Sequence, residues 1–189
     1  TISSSVSKTD QESVRRSGRD SRSCDSSALS SWTYAGRYRA RCGGDKRISL
    51  KILVTGASGY IGQVLCPILR EHEHTVRALD IAQAPGVESF DVVTEDLPLE
   101  GVDVVIPLAG YVGPKCERAP ALARDVNQVA AERLAKRLDG RCCVYLTTDS
   151  GYSSGNLTNE NEPFTPKSVY AITKAAGAEA LRAQGATVF

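Results

Sequence analysis

Apolar and polar positions follow two regimes along this chain. From Ile48 onward, short apolar runs alternate with longer stretches in which apolar residues recur every three or four positions. The run ISLKILVT reads as a buried strand. YIGQVLCPILREHE reads as an amphipathic helix with Ile61, Val64, Leu65, Ile68 and Leu69 on one face. TVRALD gives a second strand, SFDVVTEDL contains a short third, and VDVVIPLAG is a fourth, continuous and apolar as a strand covered on both faces should be. PALARDVNQVAAERLAKRL predicts a long helix, CCVYLTTD a fifth strand, PKSVYAITKAAGAEALRAQ another helix, and ATVF the start of a sixth strand. Alternating strands and helices predict an α/β fold with a doubly wound parallel sheet.

Residues 1–47 sustain neither period. Serine dominates the first 31 positions, and the segment holds ten Lys/Arg against five Asp/Glu, which leaves the remainder net acidic. Such a polar segment cannot offset its chain entropy, so a disordered Ser/Arg-rich tail is expected, followed by one domain over 48–189. Asp10, Glu12, Asp20 and Asp25 argue against an organelle-targeting peptide. The chain starts at Thr1, has no methionine and stops within the sixth strand, so a fragment is expected, truncated at that strand and unpaired there.

Composition narrows the function classes. At 189 residues and 41% hydrophobic content the chain can bury one core, and a net charge of +1 gives no motive for a nucleic-acid or membrane partner. No apolar run approaches the ~20 residues of a membrane span. Cysteines 24, 42, 66, 116, 142 and 143 lack C-x-x-C spacing, and reduced thiols in a cytoplasmic protein are expected. His72 and His74, two apart on a helix end, face different ways and read as solvated; no metal site is expected.

The first strand ends in Gly56, Gly59 and Gly62. In a dinucleotide site, the first glycine takes the tight turn, the second lets backbone approach a diphosphate, and the third lets helix and strand pack. A glycine-tolerant turn is the bland alternative. Asp80 closes the second strand 18 residues beyond Gly62, near the offset at which a carboxylate accepts a ribose 2′-hydroxyl. It would repel a 2′-phosphate, so NAD is favoured over NADP. Asp96-Leu97 follows the third strand, at the edge where an adenine would lie.

Thr55-Gly56-Ala57-Ser58-Gly59-Tyr60-Ile61-Gly62 resembles the T-G-x-x-G-x-x-G loop of the extended short-chain dehydrogenase/reductases. From about residue 50 to 189 the chain is similar to their NAD-dependent epimerase/dehydratase group, which acts on nucleotide sugars. The resemblance implies a Rossmann-type sheet, with loop residues including Ser58, Tyr60 and Ile61 against the cofactor. It also implies Asp96-Leu97 at adenine, Leu108-Ala109-Gly110 along the cofactor, and Asn127 in a structural role.

The segment YAITK places Tyr170 and Lys174 four apart, on one helix face. Tyrosine is a poor base at pH 7, and a nearby cation favours its phenolate. The resemblance implies that such a tyrosinate takes a sugar hydroxyl proton while hydride leaves the same carbon for nicotinamide, and that Lys174 also holds the nicotinamide ribose. The lead-in NENEPFTPKSVY resembles the segment before the family's catalytic Tyr. The family's S/T-x-x-x-Y-G pattern aligns Thr148 four residues before Tyr152, with Ser150 the alternative and Ser153 where the family usually has Gly. Family 4,6-dehydratases resemble T-D-E here. This chain has Thr148-Asp149-Ser150, and serine is a much weaker proton donor than a carboxyl group. Asp149 reads more simply as a turn former.

Epimerase-type oxidoreduction of a nucleotide sugar is therefore expected. An NAD-dependent dehydrogenase of a sugar acid or other secondary alcohol is the alternative. A non-catalytic cofactor-sensing module is a second, disfavoured by retention of Thr148, Tyr170 and Lys174; inactivity of the fragment itself is a third. Many family members dimerise through a four-helix bundle. The helices at 121–138 and 168–183 suit either such a homodimer or two buried intramolecular faces.

Overall fold

The computed structural model describes residues 48–152 and 163–189. The expected tail, Ser153 and the acidic part of the Tyr170 lead-in lie outside the described residues. Strands β1 (Lys51–Thr55), β2 (Thr75–Asp80), β3 (Glu88–Ser89), β4 (Val104–Pro107), β5 (Cys142–Tyr145) and β6 (Thr187–Val188) form one sheet in the order β3-β2-β1-β4-β5-β6. Every pairing is parallel. This is the expected doubly wound sheet. The chain reverses direction across the sheet between β1 and β4, opening a crevice at their carboxyl ends.

Alternation along β1 divides the core. Leu53 joins Leu79, Val105, Cys143, Leu134, Leu138 and Leu181 beneath helices α4 (Ala130–Arg137) and α5 (Val169–Arg182). Ile52 and Val54 face the other way, with Ala78, Ile106 and Cys66, beneath helix α1 (Gly62–Glu71). A central strand sandwiched by helices must be apolar on both faces, which is why ILV reads as an unbroken run.

Four elements depart from expectation. Helix α1 buries Gly62 and Cys66 and packs Leu65 and Leu69, whereas Ile61, Val64 and Ile68 are 49%, 57% and 44% exposed. The cause is Gly62: a Cβ there would lie 2.4 Å from the Gly56 carbonyl oxygen, so the helix docks along its glycine side. The third strand is Glu88–Ser89, at the front edge of the SFDVVTEDL stretch rather than within it, because the Asp91 carboxylate accepts from the Val93 N–H and Glu95 accepts from the Asp91 N–H, turning the chain.

The long helix is three pieces in succession: α3 (Pro120–Arg124), a π-helical turn (Asp125–Val129) and α4. A short helix, α2 (Lys115–Arg118), precedes it without a periodic signal. His74 is not merely solvated: its Nδ1 accepts from the Leu50 N–H at 3.3 Å, fastening the entry to β1, while His72 is exposed.

Candidate active site

The glycine loop is held from three sides. Gly56 has φ +68°, and a Cβ there would lie 2.5 Å from the Ala109 nitrogen, so only glycine lets the loop touch the turn after β4. That turn is fastened in return: Leu108 N–H donates to the Thr55 carbonyl at 3.0 Å and Ala109 N–H to Thr55 Oγ1 at 3.3 Å. Gly59 N–H closes the turn on the Gly56 carbonyl at 3.1 Å. The N–H groups of Tyr60 and Ile61 have no acceptor among the described residues, and Tyr60 is 87% exposed.

Asp80 supplies the third attachment. Its Oδ2 accepts from Ser58 N–H at 3.0 Å and from Ser58 Oγ at 2.6 Å, and its Oδ1 accepts from Ala82 N–H. Burial pushes this carboxyl up, but the hydrogen bonds from Ser58 Oγ and the backbone amides of Ala82, Ser58 and Ile81 outweigh it. The net position is below the ordinary carboxylate range, so Asp80 is anionic at neutral pH.

A groove runs from the β1–β4 crevice outward, past Thr55, Ala109, Asn127 and Tyr145 to Asp96 and Arg133. At its outer end Arg133 donates to the carbonyls of Val92, Val93 and Glu95. Asp96 is exposed and faces two cations, Arg133 at 3.5 Å and Arg137 at 3.7 Å. Nothing in the sequence marked Arg133, because its partners are carbonyls some 40 residues away whose direction depends on the loop.

Tyr170 and Lys174 lie on α5, which has two N-terminal caps. Ser168 Oγ accepts from Ala171 N–H at 3.1 Å, and Glu117 of α2 accepts from Val169 N–H at 2.7 Å. Thr148 lies beside the Tyr170 phenol, and its hydroxyl donates to Ser150 Oγ at 3.0 Å. Burial pushes the Tyr170 phenol above its ordinary value; the neighbouring Thr148 hydroxyl pulls it down, while Cys116 and Asp149 push it further up. The lowering expected from Lys174 is not among these influences. The Lys174 ammonium instead lies over the Tyr145 ring, 4.0 Å from its centroid, and burial lowers its pKa to about 8.

Asn127, 2% exposed, ties the two halves together. Its Oδ1 accepts from Tyr111 N–H at 2.9 Å, and its Nδ2 donates to the Tyr111 carbonyl at 2.8 Å and to Thr173 Oγ1 at 3.2 Å. The turn after β4 is thereby fixed to the helix that carries Tyr170. The structure brings Thr148 and Tyr170 together, with Lys174 one turn along. The Gly56–Gly62 loop, Asp80 and Leu108–Gly110 lie at the same edge of the sheet, and Asp96-Leu97 at the far end of the groove. Among the described residues no group of three or more His, Cys, Asp or Glu is arranged to hold a metal ion. No described helix is long and apolar enough to cross a membrane, and the four described cysteines are unpaired.

The comparisons agree with this geometry. Residues 52–188 match the model of the NAD dependent epimerase/dehydratase family. A dTDP-4-dehydrorhamnose reductase of Streptomyces griseus is 36% identical over 68% of this chain and 44% of its own length. A UDP-glucose 4-epimerase of Corynebacterium glutamicum is 31% identical over 66% of this chain and 44% of its own. The structure of MoeE5 in complex with UDP-glucose and NAD superposes with a TM-score of 0.67, at 25% identity, covering 73% of this chain and 52% of that one. The chain thus spans about half the length of the relatives it matches. With its glycine loop, sheet order and matched span in agreement, this chain belongs to the NAD dependent epimerase/dehydratase family.

Proposed function

We propose that the complete protein is an NAD-dependent oxidoreductase of the epimerase type, acting on a secondary hydroxyl of a nucleotide sugar. One observation carries this reading: the neighbouring Thr148 and Tyr170 and the buried Lys174 stand at the same sheet edge as a loop shaped for a dinucleotide. The residues suit NAD. The N–H groups of Tyr60 and Ile61, without acceptors among the described residues at the start of α1, would hold the diphosphate, and the close packing of Gly56 and Gly62 would leave room for it. Asp80 retains acceptor capacity for ribose hydroxyls and repels a 2′-phosphate. Asp96-Leu97 takes the adenine end, and Leu108, Ala109 and Gly110 border the middle.

Bound NAD supplies the hydride acceptor. Thr148 orients the substrate hydroxyl, and Tyr170 accepts its proton when the phenol is ionised and returns it when the ketone is reduced. Because burial raises the phenol, Tyr170 stands neutral at pH 7 and is ready as a proton donor. Lys174, one helical turn further on, would hold the nicotinamide ribose. Thr148-Asp149-Ser150 offers no second carboxyl for dehydration, which supports oxidation and re-reduction instead.

A one-directional reductase or dehydrogenase is the second reading, favoured by the neutral phenol and by the Streptomyces relative, a reductase. Calorimetric titration of this chain with NAD and NADP tests the cofactor; preference for NADP, or no binding by a folded chain, overturns it. Incubation of the complete protein with UDP- and dTDP-sugars separates the reactions. An epimerase inverts the sugar without net NADH, whereas a dehydrogenase accumulates NADH with time.

A further inference from the structure

Lys174 presents a problem in physical chemistry. Only 7% of the residue is exposed, and among the described residues neither a salt bridge nor a hydrogen bond reaches its ammonium. A buried cation without a counter-ion is costly and tends to shed its proton. The group that does meet it is the Tyr145 ring, at 4.0 Å from the centroid, a distance at which the negative face of an aromatic ring attracts a cation.

The ring itself is fixed. Tyr145 is 3% exposed at the end of β5, and its hydroxyl donates to the Asn127 carbonyl at 3.4 Å, within the π-helical turn. Helix α5 closes on this pair at Gly177, where a Cβ would lie 2.3 Å from the Asn127 oxygen and 3.0 Å from the Tyr145 hydroxyl. The titratable groups around the cluster are Tyr170 on α5, Cys143 on β5, Cys116 on α2 and Asp149 in the turn after β5. No carboxylate competes with the ring for Lys174 in an ion pair among the described residues.

We propose that Tyr145 is a positioning residue for Lys174: its ring face, buried at the end of β5, holds the ammonium charged at one place beside Tyr170. This rests on the reading of Lys174 as part of the reacting cluster. The ring does by its quadrupole what a carboxylate would do by its charge, without adding an anion that would push the Tyr170 phenol further up. The ammonium stays available to a ribose hydroxyl, because a ring face takes up none of its N–H donors in conventional hydrogen bonds.

The test replaces Tyr145 with phenylalanine and, separately, with 3,4,5-trifluorophenylalanine, which keeps nearly the same shape but withdraws electron density from the ring face. The Lys174 ammonium is titrated by NMR of lysine labelled at Cε and Nζ, its resonance assigned through Lys174→Arg. The phenylalanine variant is expected to keep the wild-type midpoint, and the fluorinated variant to titrate about one pH unit lower. Equal midpoints for the two rings overturn the proposal, since a role in packing alone does not distinguish them. NAD titration of the same wild-type sample separates the readings. A midpoint that follows the ring in a chain that does not bind NAD retires the cofactor assignment and leaves the Tyr145–Lys174 contact standing.

Discussion

The two ends of the crevice are built from different materials. At the β1–α1–β2 end, backbone meets backbone: Gly56 against Ala109, Gly62 against Gly56, and a carboxylate that gathers amides. At the β5–α5 end, side chains reach partners in distant segments: Asn127 meets Thr173, Glu117 accepts from the Val169 N–H, and Lys174 meets the Tyr145 ring. The first arrangement tolerates almost no added volume. The second, apart from the Gly177 contact, depends on each side chain keeping its partner. Substitutions at the two ends should therefore fail in different ways.

The largest expected effect separates chemistry from structure. In the complete protein, Tyr170→Phe is expected to lower kcat by about 10³-fold, with NAD affinity and thermal stability near wild type. Stopped-flow turnover beside calorimetry checks it, and a wild-type kcat would break the proposed reading. At the other end, Gly56→Val is expected to destabilise the chain by about 3 kcal/mol, from the left-handed backbone and the overlap with Ala109. Urea denaturation measures that loss, and cofactor binding should vanish with it.

Asn127→Ala leaves the Tyr111 N–H unpaired, leaves the Tyr111 carbonyl only the Cys116 thiol, and takes from Thr173 Oγ1 the N–H it accepts, for a cost of about 2 kcal/mol by the same denaturation measurement. If the two ends truly differ, Asn127→Asp recovers part of this, whereas no side chain rescues position 56. Arg133→Ala frees the loop at 92–95, and a roughly 10-fold weaker affinity for ADP with unchanged affinity for nicotinamide mononucleotide is expected by calorimetry.

The smallest effect is Ser58→Ala. Asp80 is held below its unfolded pKa, so its contribution is present above the unfolded value and is lost as pH falls through the folded one. Removing one hydrogen bond moves the folded value up. The variant should be less stable than wild type at pH 7 by under about 1 kcal/mol, given partial solvent screening. That difference should close as the carboxyl protonates, below the ordinary carboxylate range, in thermal melts across pH.

The same contrast explains what could be read from the sequence. The strands, their order of alternation with helices and the glycine loop were legible because each depends on residues adjacent in the chain. The docking face of α1 was not, because hydrophobic periodicity weighs Ile61, Val64 and Ile68 while ignoring that Gly62 lets the helix sit closest on its side-chain-free face. The third strand was shortened by local carboxylate–amide bonds at Asp91 and Glu95, which compete with sheet pairing. At the reacting end, Tyr170 and Lys174 announce themselves by spacing. Tyr145, Glu117 and Arg133 do not, since their partners lie 29, 52 and about 40 positions away and only the fold brings them near.

Gly177 has a bearing on protein engineering. Exchanging a mid-helix glycine for alanine is a standard route to thermostability, gaining about 0.5–1 kcal/mol where the site is open. Here the added methyl would be driven into the Asn127 carbonyl oxygen. A propensity-guided stabilisation programme that included this position would wedge α5 away from the π-helical turn and lose more than it gained. The helix is held at less than its own best stability so that two backbones can come within touching distance.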